Sequence, residues 1–149
     1  MNDKMGDILE SAGQALLYGV VGFAVMAVAF LALDLVTPGN LARVVWRERN
    51  KGAAVLLGGQ MLGVGLVVKA AIGASESEEG LGYGLLSTGL YGLAGVVVMT
   101  AVFAVVAVLT PGKMGALVLE DRDGKPHPAA WVQGITYVGT ALMVGAALS

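Results

Sequence analysis

The sequence predicts an all-α membrane protein whose four transmembrane helices are built as two parallel tandem two-helix repeats. Three observations carry that prediction. Of the 149 residues 56% are apolar and only 13% charged, with a mean hydropathy of +0.78, whereas a soluble domain carries about 25% charged residues. The charges are also clustered, so that Leu16 to Leu33, Ala53 to Val68, Gly80 to Gly112 and Ala129 to Ser149 hold none. Finally, the second half of the chain aligns on the first.

The elements follow from the uncharged runs. The spans are expected at Gln14–Val36, Gly52–Ala74, Gly84–Leu109 and Ala129–Ser149. Each is about 20 residues or longer, enough at 1.5 Å per residue to cross roughly 30 Å of hydrocarbon. Residues 14–74 form the first repeat and 84–149 the second, with 1–13 as a separate outward-facing segment. The first span is not expected to be a cleaved secretory signal. Its flank is acidic, with Asp3, Asp7 and Glu10 against Lys4, and its apolar run exceeds the usual 7–15 residues.

Orientation comes from lysine and arginine in short loops, which stay cytoplasmic. The loop 37–51 holds Arg43, Arg47, Arg49 and Lys51, and the loop 110–128 holds Lys113, Arg122 and Lys125, together seven of the nine basic residues. The other side carries Lys4 and the acidic hairpin around Glu76, Glu78 and Glu79. Both termini are therefore expected outside and both long loops inside.

At an offset of 73, Leu16–Leu41 overlays Gly89–Met114 with ten of 26 positions identical, among them Tyr18-Gly19 with Tyr91-Gly92 and Thr37-Pro38-Gly39 with Thr110-Pro111-Gly112. After a three-residue insertion, Ala53–Gly73 overlays Ala129–Ser149 and shares Ala53/Ala129, Ala54/Ala130, Gly58/Gly134, Gly63/Gly139 and four more. This is the pattern of a duplicated helical hairpin. Two spans per unit make the repeats parallel, which lowers the standing of a transporter built on inverted repeats.

Each Thr-Pro-Gly ends a span, because proline cannot continue the preceding ladder but suits the first turn of a new helix. Thr37 and Thr110 are the expected N-caps of the restarted segments. Leu41, Val44 and Val45 then fall at helical spacing, with Met114, Leu117 and Val118 matching them in the second half. With Arg43, Trp46 and Arg47 alongside, the first segment reads as a short helix in the inner headgroup layer, in contact with lipid or a partner. A connector bearing ordinary inside charges is the competing reading.

Helix packing is assigned to Ala54, Gly58 and Gly63 in the first repeat and to Ala130, Gly134 and Gly139 in the second, since the small pairs Ala54/Gly58, Gly59/Gly63 and Ala130/Gly134, each four apart, let membrane helices approach closely. Two charges lie within spans. Lys69 is expected to snorkel toward Glu76, Glu78 and Glu79. Asp34 has Ala107 as its repeat mate, so its charge is not needed to build a hairpin. It is read as a latch onto the loop arginines or the free N–H groups beyond Pro38, with ion handling as the alternative. Gln60, Thr136, Tyr137 and Thr140 are expected to hydrogen-bond between helices.

Enzyme signatures are missing. The only histidine, His127, sits between Pro126 and Pro128, and there is no cysteine. Neither a metal set nor a nucleophile–base set can be assembled, so no cofactor is expected. The run Glu120-Asp121-Arg122-Asp123 is read as a solvated face. A net charge of -2 gives no reason to expect nucleic acid.

Taken together, Asp34 ahead of Thr37-Pro38, the charged stretch ending in Asn50-x-x-Ala53-Ala54, and the glycine-rich span with Gly58, Gly59 and Gly63 resemble the domain-of-unknown-function 350 family over essentially the whole chain after the first dozen residues. The resemblance implies a small bacterial inner-membrane protein of four spans in two repeats, without an established biochemical activity. It also implies a possible cytoplasmic envelope-stress partner, since some members are encoded near phage-shock-type proteins. The second half departs from the motif, with Ala107 and Asp123-Gly124-Lys125-Pro126 at the corresponding places.

Two functions compete on this sequence. One is a non-enzymatic, homo-oligomeric membrane module that presents Arg43, Trp46, Arg47 and Arg49 to anionic lipid or a cytoplasmic partner. The other is an oligomeric small-ion channel or transporter component with Asp34 at its inner mouth. A continuous polar stripe would favour the second, and only scattered Gln and Thr occur.

Overall fold

The computed structural model describes residues 2–37, 39–75 and 80–149. Six helices and one two-stranded hairpin follow in the order α1 (Asn2–Val36), α2 (Leu41–Trp46), α3 (Lys51–Ala74), α4 (Leu81–Leu109), α5 (Met114–Val118), β1 (Asp121–Arg122), β2 (Lys125–Pro126) and α6 (Pro128–Leu148). Four helices are long and apolar enough to cross a membrane, where intrahelical hydrogen bonding satisfies the backbone without water. Large apolar side chains such as Leu16, Phe23, Leu35, Val97, Val108 and Ile135 point outward, as expected of a surface solvated by lipid.

Contact registers give the helix directions. Gly22 meets Val68 and Ala29 meets Gln60, so α1 and α3 are antiparallel. Gly95 meets Val67 while Gly63 meets Met99, so α3 and α4 are antiparallel too. Gly92 against Val25 and Gly89 against Val21 make α1 and α4 parallel. Gly59 against Gly134 and Gly63 against Tyr137 make α3 and α6 parallel. Helix α3 touches each of the other three long helices, and its buried face is correspondingly broad, from Ala53, Leu56 and Leu57 to Val67, Val68 and Ala71.

Residues 2–13 lie on the same helix as the first span, within α1. Asp123 and Gly124, at φ +52° and +71°, turn the chain between β1 and β2, a short hairpin in an otherwise helical chain. That pair of left-handed residues is the Asp-Gly hairpin preference. Thr37 and Thr110 do not cap the restarted helices. The N-cap of α2 is Asn40, whose side chain accepts from the Arg43 N–H at 2.8 Å. The N-cap of α5 is Lys113, without a side-chain bond. Gly39 and Gly112 supply φ of +90° and +105°, which glycine adopts at no steric cost, and this turn displaces each restart three residues beyond the threonine. The Thr37 hydroxyl is buried without a partner among the described residues. Thr110 returns its hydroxyl to Val106 O at 2.8 Å. Pro38 lies outside the described residues.

Helix α2 is docked on the bundle. Leu41 and Val44 are buried in the core, and Met114 and Val118 of α5 join them there.

Candidate functional site

The two long connections meet at one end of the bundle, and polar side chains tie them together. Asp34 Oδ1 accepts from the Leu41 N–H at 2.5 Å, holding the first free donor of α2 across the turn. Its partner is thus a backbone donor, one of the two alternatives the sequence left open. Asn50 caps α3 by accepting from Ala53 N–H at 2.7 Å and donates its amide to Leu119 O at 2.6 Å. One side chain therefore starts α3 and holds the end of α5.

Asp121 completes this clasp, with its carboxylate accepting from Lys51 N–H at 2.8 Å and Gly52 N–H at 3.2 Å. An anion at the free donors of a helix start is favoured by the helix dipole as well. Lys51 Nζ returns to Gly124 O at 2.6 Å. Gly52 has no room for a side chain, since a Cβ would overlap Val118 O. Sequence reading took Asp121 for part of a solvated acidic face. The signal it passed over is Asp123-Gly124, whose hairpin turns Asp121 back toward α3. His127 was missed likewise: its Nδ1 accepts from Ala129 N–H at 3.1 Å and caps α6.

On this clasped base α2 exposes Arg43, Trp46 and Arg47, with Arg49 just beyond at φ +53°. Arg43 Nε lies 3.2 Å from Glu48 Oε1. Arg47 and Arg49 form no ion pair among the described residues. Trp46 is 64% exposed, and its ring sits 6.4 Å from that of Phe30 on α1. Asn40, Arg43, Trp46 and Arg47 border a hollow of about 410 Å³. The arrangement offers two uncompensated cations beside an amphipathic ring, which suits an anion at a membrane interface.

The small residues are used differently from the sequence expectation. Gly134 is at a close contact, but its partner is Gly59, whose added Cβ would come 2.5 Å from Gly134 Cα. Gly63 is likewise closed in by Met99 and Tyr137, and Ala130 is buried. Ala54 and Gly58 are exposed, a Cβ on Gly58 would meet nothing within 4 Å, and the same holds for Gly139. Within the chain these three are not packing contacts. The reason is the broad burial of α3, which turns the Gly59 and Gly63 face toward α6 and leaves the Ala54–Gly58 stripe outside.

Of the other polar residues in the spans, Gln60 does bridge helices, donating to Ala29 O at 2.9 Å. Thr136 and Thr140 bond within their own helix, to Val132 O and Thr136 O, and Tyr137 stacks on Phe103 at 6.1 Å. Gln133 is fully buried, and neither amide atom has a partner among the described residues. Lys69 is exposed and unpaired among the described residues; the carboxylates of Glu76, Glu78 and Glu79, expected to face it, lie outside them. No cluster of three His, Asp or Glu side chains suited to a metal occurs among the described residues.

Comparison with known proteins places residues 7–148 under the model of a family described as Domain of Unknown Function (DUF350). A UPF0719 transmembrane protein of Mycolicibacterium paratuberculosis is 32% identical over 145 residues, covering 97% of this chain and 93% of the relative. A UPF0719 transmembrane protein of Mycobacterium bovis is 32% identical over 143 residues, covering 95% and 90%. No solved structure matches.

Proposed function

The chain belongs to the Domain of Unknown Function (DUF350) family of transmembrane proteins, and on that premise we propose that it is a non-enzymatic membrane module presenting a basic, tryptophan-bearing surface to anionic lipid. In this reading the clasped end faces the cytoplasm, both termini lie outside, and the bundle descends from a duplicated hairpin. The Ala54–Gly58 stripe, unused within the chain, is where a second copy would pack. A cytoplasmic envelope-stress partner would meet the same basic end.

The observation that carries the reading is the exposure of Arg43 and Trp46, with Arg47 and Arg49 directly following, on a helix whose other face is buried and whose start is held by Asp34. A fixed platform concentrates charge at one depth, where each basic residue near an anionic surface contributes about 1 kcal/mol. The alternative, an oligomeric small-ion pathway ringed by Asp34, is weakened by the use of that carboxylate as a backbone acceptor.

The test compares spin-labelled phosphatidylglycerol with spin-labelled phosphatidylcholine at the protein boundary in mixed vesicles. Phosphatidylglycerol should be several-fold enriched. The enrichment should fall in the Arg43→Gln/Arg47→Gln/Arg49→Gln variant and at about 1 M salt, where exposed charges are screened beyond about 3 Å. Equal association of the two lipids with the unmodified protein would contradict the proposal.

A further inference from the structure

A second hollow lies directly beside the basic one. On the lipid-facing side of α1 and α3, Phe23, Met26, Ala27, Phe30 and Met61 line an apolar groove of about 400 Å³. Phe30 belongs to this groove and Trp46 to the basic hollow. Their rings are 6.4 Å apart and tilted at 54°, so the two depressions adjoin at that contact.

The depths suit one kind of occupant. Counted from the clasped end at about 1.5 Å per residue, Phe30 lies roughly 9 Å up α1, Met61 roughly 15 Å up α3 and Phe23 roughly 20 Å up α1. One leaflet contributes about 15 Å of hydrocarbon. The groove thus spans the depth of one leaflet toward the bilayer middle, and its Phe30 end adjoins the hollow that Arg43 and Arg47 border. The groove wall is made of methionine and phenylalanine, which adapt to an irregular flexible chain.

We propose that these adjoining depressions form a specific site for one anionic diacyl phospholipid, its acyl chain along the Phe23–Met61 groove and its phosphate between Arg43 and Arg47. The charge balance selects the anion: Arg43, paired with Glu48, and Arg47, unpaired among the described residues, border the basic hollow, and Arg49 follows just beyond, a net of two positive charges on this segment. Trp46 closes the junction at the depth of the glycerol backbone. The site rests on the reading that α2 meets anionic lipid and adds to it a fixed position and stoichiometry.

The experiment is native mass spectrometry of the full chain, delipidated in mild detergent and then given phosphatidylglycerol or phosphatidylcholine of equal chain length. One phosphatidylglycerol per chain should persist at activation energies that strip phosphatidylcholine. Ala27→Phe points outward from α1 and fills the groove without entering the core, and it should abolish retention while leaving thermal stability unchanged. Arg43→Gln/Arg47→Gln should weaken retention by tenfold or more. Glycerol 3-phosphate, the headgroup chemistry without chains, should compete at least a hundredfold more weakly than the lipid.

Equal retention of phosphatidylcholine by the unmodified protein, undiminished retention by Ala27→Phe, or equal competition by glycerol 3-phosphate would each overturn the site. Boundary enrichment that survives while Ala27→Phe still holds its lipid would reject the groove alone and spare the broader lipid reading. Loss of that enrichment in the unmodified protein would reject both.

Discussion

At the scale of single residues, the bond from Leu41 N–H to Asp34 turns a charged side chain near the end of a span into a structural acceptor. A carboxylate there satisfies a donor left free at a helix start and gains from being ionised. Asp34→Ala should therefore lower stability by about 1–2 kcal/mol, the usual value of such a cap. Asp34→Asn keeps a carbonyl acceptor and should lose less. Thermal unfolding in detergent measures both. A normally stable Asp34→Ala, or an Asp34→Asn of unchanged stability that alters ion flux in liposomes, would reassign the residue to ion handling. Asp34 was legible in the sequence because an isolated charge in an apolar run requires a reason. Asp121 was not, because its role depends on a hairpin that returns it about 70 positions back along the chain to Lys51 and Gly52.

At the scale of elements, four spans were readable from hydropathy and length alone, and their ends fell within about three residues of the expected ones except at the N-terminal extension of α1. Which face of each helix turns inward was less legible, because small residues permit close approach without dictating the neighbour. Gly59 and Gly58 are adjacent, yet only Gly59 meets Gly134. Gly59→Leu and Gly134→Leu should each force α3 and α6 apart, with a loss of at least about 2–3 kcal/mol. Gly58→Leu should leave the stability of the isolated chain intact. Thermal stability and assembly size of the three variants check this. If Gly58→Leu unfolds the chain while Gly59→Leu is tolerated, the α3–α6 register is wrong. If Gly58→Leu changes assembly size alone, the Ala54–Gly58 stripe is the surface between copies.

For the whole molecule, the two long connections are clasped to each other at one end, and that end carries Arg43, Arg47, Arg49, Lys51 and Lys113. The sequence pattern of matched halves conveyed this shared end, whereas the unequal use of α3 and α6 arises only when four helices compete for one interior. A basic platform serves a cytoplasmic partner only from the cytoplasm, so the side on which the clasped end lies decides the proposal. The chain has no cysteine, so Asp7→Cys and Glu48→Cys, both exposed, report the two ends without background. The direct measurement is labelling of each single-cysteine protein in intact cells with a thiol reagent that cannot cross the membrane. Asp7→Cys should react at once and Glu48→Cys only after the cells are opened; labelling of Glu48→Cys in intact cells with Asp7→Cys protected would contradict the account.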